Sequence, residues 1–533
     1  MSDTFRNPIL PGFNPDPSIC FVPGQGYLLT TSTFEFFPGL PIYHSKDLQE
    51  WKLIGHAVNR RSQGVDMRTV ESSAGLWAPT LRYYKGRVYM ICSCFWRLRV
   101  DKTPQVISSG FYVSTDDVWD DSKWSDAVYF DEVGFDQDLL FDDDDRVYQT
   151  VTRFDFTEAP KNGNPKIQSF INEIDLPTGR SITSPVLAKA SELGVSEGCH
   201  IHKKDGWYYF FTAEGGTQDG HRECVYRSRC PTGPFEPPPE GVNPLIFNHD
   251  HPDIQNTGHM DIVRREDGRW FAVFLGVRPI FEARKVHGAL GMPTHLGRES
   301  FMAELEWADG WPVVNKGKPI EPVGEAKGFT PVNEVTAWRD DFEGRDLALG
   351  WYRVRVPFRD CFSLTEKSGS LAIRGGCDLT VAHCPSVLLQ KQTQIDCDWS
   401  TEVEFAPSRE GEEAGTVVWL HEETLAALGL RKRGDALDVV LRWPDAEGTL
   451  QDAVVGGPVP PGQPVTLRIK ARRSCYSFAF TVNSQTEEIE QTVPTSAFTP
   501  LFTGVHLGLY AQGANEISCL TPAYFAHAQW TKA

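Results

Sequence analysis

The chain is predicted to be all-β, a five-bladed β-propeller followed by a C-terminal β-sandwich, on three observations. One pattern recurs five times in about the first 320 residues, helical periodicity is hard to find anywhere, and the recurrence stops near Gly317 while short alternating strands continue. The repeats open on NPDPSI at Asn14, LWAPTL at Leu76, FDQDLL at Phe135, SEGCHI at Ser196 and TGHMDI at Thr257. From Asp16 through Trp77, Asp136 and Glu197 to His259 the steps are 61, 59, 61 and 62 residues. A second marker keeps the same beat, a turn residue followed by an aromatic-rich strand: GYLLTT, GRVYMI, DRVYQT, GWYYFF and GRWFAV. Strand-rich units of this length, repeated, are what propeller blades look like in sequence. In a propeller the innermost strand of each blade lines one central channel, so three acidic residues and a histidine far apart in the chain are expected to converge there.

The fifth repeat closes with LGRESFMAELEWADGWPVVNKG, and the propeller domain is read as residues 1–322. KPIEPVGEAKGFTPVNE, rich in turn formers, reads as a linker. From about residue 330 to 533 the beat is gone, and TEVEFAP, GTVVWLHEE, LDVVLRW, VTLRIKARR and YSFAFTV are alternating strands at sandwich spacing. A chain of 533 residues exceeds one ordinary domain, which agrees with two.

The formal net charge of −19 excludes the usual footprint of nucleic-acid or anionic-membrane binding, which needs clustered Lys and Arg. A neutral partner such as a sugar is compatible with it. No run of about 18 apolar residues is present, and MSDTFRNPILPGF has no basic n-region followed by an apolar h-region, so a cytoplasmic location is expected. The 12 cysteines lack CxxC pairs and read as free thiols in a reducing compartment.

Glycosidic hydrolysis needs two carboxyl groups, one to protonate the departing oxygen and one to activate water or attack the anomeric carbon. Asp16, Asp136 and Glu197 supply three at equivalent repeat positions, and a third carboxylate helps by holding a proton on the acid. Each alone has a blander reading. Asp before Pro is usually a turn residue, Asp136 lies near the acidic run Asp142 to Asp145, most simply a solvated hairpin turn, and Glu197-Gly198 could be a loop. Their common phase is what raises the catalytic reading. Phe34, Trp77 and Phe135 could present flat faces to a pyranose, although core packing is the commoner role for Phe34 and Phe135. His259 could bond substrate, bind an ion or complete a hydrogen-bond network, and Arg298 could fix a hydroxyl, balance the carboxylates or form a surface salt bridge. A lone His without clustered ligands is a poor metal site, so no metal and no cofactor are expected, a divalent ion near His259 being the option left open.

Long motifs in order (NPILPGFNPDPSICFV, TSTFEFFPGLPIYHSKDLQEW, GLWAPTLRY, GFDQDLLFDDD, SEGCHIHKKDGWYYFFTAEGGT, NTGHMDIV and LGRESFMAELEWADGWPVV) resemble glycoside hydrolase family 43, specifically its two-domain β-xylosidases. The resemblance implies a five-bladed propeller and an inverting, single-displacement attack on xylo-oligosaccharides from the non-reducing end. It implies Asp16 as general base, Glu197 as general acid and Asp136 as the carboxylate that orients and tunes the acid. It places Phe34, Trp77, Phe135, Thr217, His259 and Arg298 around the sugar, and Phe502 of LFTGVHLG as an aromatic from the second domain that closes the pocket. The third motif departs from the family's Asp-Pro-Ser, with Gln137 and Asp138 after Asp136; Cys199, Thr80 and Met260 are further departures, and none removes a carboxylate. YFAHAQW lacks the acidic residue often found there, which argues against a calcium site in the sandwich. A dimer or tetramer is left open. Two alternatives stand beside the xylosidase reading: α-L-arabinofuranosidase or dual activity on the same scaffold, and a non-catalytic carbohydrate-binding propeller.

Overall fold

The computed structural model describes residues 3–100, 103–155, 166–286, 289–330, 332–356, 360–381, 385–514 and 517–533. Strands dominate, and the helices among the described residues are short 3-10 turns. The chain divides into two compact units, one of Met1–Pro279 with Arg298–Val332, the other of Ile280–Gly297 with Asn333–Ala533.

In the first unit each sequence repeat becomes one antiparallel sheet, its strands laid out largely in chain order. The opening strands are Ser18–Val22, Gly75–Tyr84, Phe135–Phe141, Ser196–Lys204 and Gln255–Arg264. Each packs against the opening strand of the next sheet, and Gln255–Arg264 packs back on Ser18–Val22, so the series closes on itself. The second marker of each repeat has a stereochemical cause. The turn residue ahead of the aromatic strand is left-handed every time, with φ of 113° at Gly26, 83° at Gly86, 65° at Asp145, 72° at Gly206 and 91° at Gly268. Gly and Asp are the residues that enter that region most easily.

The strands that follow are buried between neighbouring sheets. Tyr27 and Leu29 pack with Phe271 and Val273, while Tyr209 and Phe211 pack with Phe274 and Phe301. Two expectations need correction. The stretch read as a linker includes strand Val323–Glu325, which pairs with Thr4–Arg6, and Gly324 lets the Phe5 ring lie where a Cβ would be only 2.1 Å from it. The acidic run is a hairpin turn, exposed at Asp143, Asp144 and Asp145, but Asp142, which closes it, is 7% exposed and binds Lys203 Nζ at 2.5 Å and Tyr208 Oη at 2.6 Å.

The second unit holds two large antiparallel sheets. One runs Ser386–Lys391, His506–Gln512, Glu413–His421, Thr424–Arg433, Ala436–Pro444 and Leu450–Val459. The other centres on Ala523–Lys532, Cys397–Phe405, Val465–Ala471 and Cys475–Val482. Cys397–Phe405 alternates strictly between buried and half-buried positions, sending Trp399, Val403 and Phe405 into a core shared with Val418, Leu428, Leu441 and Leu507 of the first sheet. This is the period-2 pattern of two sheets packed face to face. All 11 described cysteines are free.

Candidate active site

The five repeat openings share a backbone device. Asp16, Ala78, Asp136, Gly198 and His259 all have positive φ, at 53°, 42°, 54°, 61° and 55°. Where these residues lie inside a strand, the cross-strand register skips, between Trp77 and Thr80, Phe135 and Asp138, Glu197 and His200, and Gly258 and Asp261. Four of the five are not glycine, and such conformations cost roughly 1–3 kcal/mol each and persist only where surroundings over-determine them. The bulge re-aims side chains at the mouth of the ring. It also refines the sequence register: Trp77 and Glu197 each stand one residue ahead of the left-handed position that Asp16, Asp136 and His259 occupy.

Asp16 is 4% exposed and bonded at both oxygens, with Arg298 Nη1 donating to Oδ1 at 2.9 Å and Ser32 Oγ donating to Oδ2 at 2.6 Å. Ser32 in turn accepts the Ala78 N–H at 2.7 Å, tying the first repeat to the second. His259 Nδ1 lies 3.6 Å from Asp16 Oδ1. Arg298, 4% exposed and so not a surface salt bridge, also donates to Thr217 Oγ1 at 3.2 Å, and its guanidinium lies 5.6 Å from the Phe34 ring centre. Asp136 accepts the Gly198 N–H at 2.8 Å. Ring contacts continue from Phe34 to Trp77 (5.7 Å between centroids) and from Trp77 to Phe135 (5.9 Å). Trp77, half-buried, is immobilised by stacking on Phe95 at 4.0 Å and by an indole hydrogen bond to the Ser73 carbonyl. Eight of the ten sequence-predicted residues are linked by these contacts, and Glu197 immediately precedes Gly198, whose N–H Asp136 holds. The tenth, Phe502, belongs to the second unit, in the loop leading into His506–Gln512.

The three carboxyl groups feel one another. Burial, then the negative charge of Asp16, push Glu197 up from 4.5 to about 7, against the pull of Arg298. Burial and the charge of Glu197 likewise push Asp136 well above the carboxylate range, opposed by the Gly198 N–H. This buried pair retains a proton at neutral pH. His259 is driven down to about 3, chiefly by burial, and is a neutral imidazole.

Below this layer lies a second polar ring that sequence reasoning missed. Two residues past each left-handed position stand Ser18, Thr80, Asp138, His200 and Asp261. Arg82 donates to Asp138 Oδ2 at 2.7 Å, to Asp261 Oδ2 at 2.9 Å and to His200 Nδ1 at 3.2 Å. Asp261 also binds Ser18 Oγ (2.5 Å), the Ile19 N–H (3.2 Å) and His202 Nε2 (2.7 Å). Asp138 takes the Ile201 N–H at 3.0 Å and Ser18 Oγ the Leu81 N–H at 2.9 Å, so side chains of one repeat hold the backbone of the next. The same period, advanced by two residues, would have found this ring. Arg82→Met leaves Asp138 and Asp261 buried without their cation and is expected to cost about 3–5 kcal/mol, read as a lowered midpoint for unfolding of the first unit. A midpoint within a degree of wild type would show that the ring does not hold the sheets together. Among the described residues no group of three His, Cys, Asp or Glu side chains is arranged to hold a metal ion.

Comparison with known proteins gives a consistent result. The sequence profile described as Glycosyl hydrolases family 43 matches residues 5–312, and one described as Beta xylosidase C-terminal Concanavalin A-like domain matches residues 339–531. The non-reducing end α-L-arabinofuranosidase BoGH43B of Bacteroides ovatus is 36% identical, over 98% of this chain and 94% of its own. A xylan 1,3-β-xylosidase of a Vibrio species is 32% identical, over 91% and 90%. Among solved structures, a xylan β-1,4-xylosidase from Bacillus halodurans C-125 matches with a TM-score of 0.88 at 26% identity, covering 99% of this chain and all of its own. The Bacteroides ovatus xyloglucan GH43B structure matches at 0.84 with 35% identity over 99% and 100%.

Proposed function

The chain belongs to glycosyl hydrolases family 43 and is a glycosidase, and from that premise we propose an exo-acting, inverting enzyme that releases xylose from the non-reducing ends of β-1,4-xylo-oligosaccharides. The observation that carries the reading is the trio of Asp16, Asp136 and Glu197, brought to one site with different environments. Glu197 is the general acid. It is half-buried, open enough to meet a glycosidic oxygen, and protonated up to about pH 7. Asp16 is the general base. Its carboxylate, oriented by Arg298 and Ser32, takes a proton from the water that attacks the anomeric carbon. Asp136, fixed by the Gly198 N–H, is the orienting carboxyl, its own ionisation opposed by burial and by the charge of Glu197. Neutral His259 and Arg298 hold sugar hydroxyls, with half-buried Trp77 as the aromatic face. The fold proposed is a five-bladed propeller followed by a β-sandwich. The cyclic packing of five opening strands supports the first, and the core shared by two sheets supports the second.

Inversion requires two carboxyls far enough apart to seat a water between them and the anomeric carbon, roughly 6.5–9.5 Å. Proton NMR of the first sugar released from xylobiose is expected to show the α-anomer. The β-anomer would give Asp16 a nucleophile's role and overturn this mechanism.

Activity on α-L-arabinofuranosides is a second reading, favoured by the arabinofuranosidase that shares 36% of this sequence over nearly its whole length. Parallel assays on 4-nitrophenyl β-D-xyloside and α-L-arabinofuranoside separate the two. The expected result is higher kcat/KM on the xyloside; a reversed order assigns arabinofuranosidase activity as the main one.

A further inference from the structure

We infer that Glu223 is a positioning residue that sets His259 against Asp16. The inference rests on the proposed role of Asp16 and goes beyond it by naming what holds its neighbour. His259 is left-handed, at φ 55°, and the strand register skips from Gly258 to Asp261, so the amides of His259 and Met260 are turned away from the cross-strand ladder. Glu223, fully buried in strand Arg222–Ser228, braces this turn: its Oε2 accepts the Met260 N–H at 3.0 Å, and its carboxyl faces the His259 N–H. In the second and fourth repeats the matching amides, Ala78 N–H and Gly198 N–H, are held by Ser32 and Asp136. Glu223 does that work in the fifth.

Its neighbour His221 completes the brace. The His221 Nδ1–H donates to the Asn256 carbonyl at 2.9 Å, and its ring fills the space beside Gly258, where a Cβ would come within 2.6 Å of it. On the opposite side the His259 ring lies 2.9 Å from where a Cβ on Gly198 would be. The imidazole is thus confined between a glycine and a clamped backbone, with Nδ1 3.6 Å from the Asp16 carboxylate. With no exposed surface, Glu223 does not itself touch substrate.

The test is a double-mutant cycle on the glycoside the wild-type enzyme cleaves fastest. Glu223→Leu is expected to lower kcat/KM about 10²-fold, the scale of a displacement of about 1 Å in a catalytic site. Glu223→Gln, which keeps a carbonyl acceptor, recovers most of that loss. In a His259→Ala background the further loss from Glu223→Leu shrinks to less than about threefold, because residues acting through one another are not additive. Equal losses in both backgrounds, or a Gln variant as poor as Leu, overturn the inference. Should Glu223→Leu not fold, Glu223→Asp draws the carboxylate back by one methylene. A loss present with His259 and absent without it supports the inference, and an equal loss in both overturns it. An Asp16→Ala enzyme that remains active refutes the role given to Asp16 while leaving the coupling of Glu223 to His259 measurable.

Discussion

Asp16→Ala is expected to lower turnover of xylobiose by roughly 10²–10⁴-fold, the usual contribution of a general base, and a better leaving group does not restore it. The lesion falls on water activation, which every substrate needs whatever its aglycone. An activated aryl xyloside is therefore cleaved as poorly, relative to wild type, as the disaccharide. Removing the carboxylate also strips Arg298, 4% exposed, of its bonded anion and leaves the Ser32 hydroxyl without its acceptor. Part of any loss could then reflect a disturbed fold. Asp16→Asn controls for this, since the amide retains an oxygen toward Arg298 but no basic carboxylate. Unfolding midpoints near wild type together with the same kinetic loss assign the effect to chemistry. Xylobiose hydrolysis at near wild-type rate by a folded Asp16→Asn enzyme would remove Asp16 from the mechanism.

The part of this site that was legible in sequence is the part that repeats. Asp16, Asp136, Glu197 and His259 stand out because one left-handed residue sits at the start of each sheet and re-aims the side chains beside it, so the chemistry inherits the spacing of the fold. That spacing located residues to within one position. Trp77 and Glu197 share the spacing of Asp16, although Ala78 and Gly198 occupy the equivalent backbone sites, because sequence displays side-chain chemistry and not φ. The inner ring was hidden for another reason. Arg82 meets Asp138 and Asp261 across 56 and 179 residues of chain, and Arg82 and Asp261 stand in motifs that also read as ordinary strands. Ser32 carries no signal beyond the TSTFEF context, and its role follows only from the approach of Ala78. Assignment of Ile280–Gly297 to the second unit was equally invisible. The segment lies between two strands of the fifth sheet, and strand periodicity says nothing about where an insertion packs.

Glu197→Gln should separate protonation from every other step. On xylobiose, whose leaving alcohol must be protonated, the expected loss is again roughly 10²–10⁴-fold. On an aryl xyloside with an acidic phenol the loss shrinks by an order of magnitude or more, since the departing phenolate needs little help. The pH profile supplies an independent sign. A general acid works only while it holds its proton, and Glu197 is raised from 4.5 to about 7 by burial and by Asp16. Wild-type kcat/KM, which reports the free enzyme, therefore has an alkaline limb that begins near pH 7 and falls about tenfold per unit above it. Glutamine has no proton to lose, so the variant's profile is flat across that limb. Asp16→Asn moves the limb the other way from burial, to lower pH, because the charge that helped to keep Glu197 protonated is gone. An alkaline limb that survives unchanged in Glu197→Gln would show that some other group donates the proton, and the division of labour between Asp16 and Glu197 would have to be redrawn.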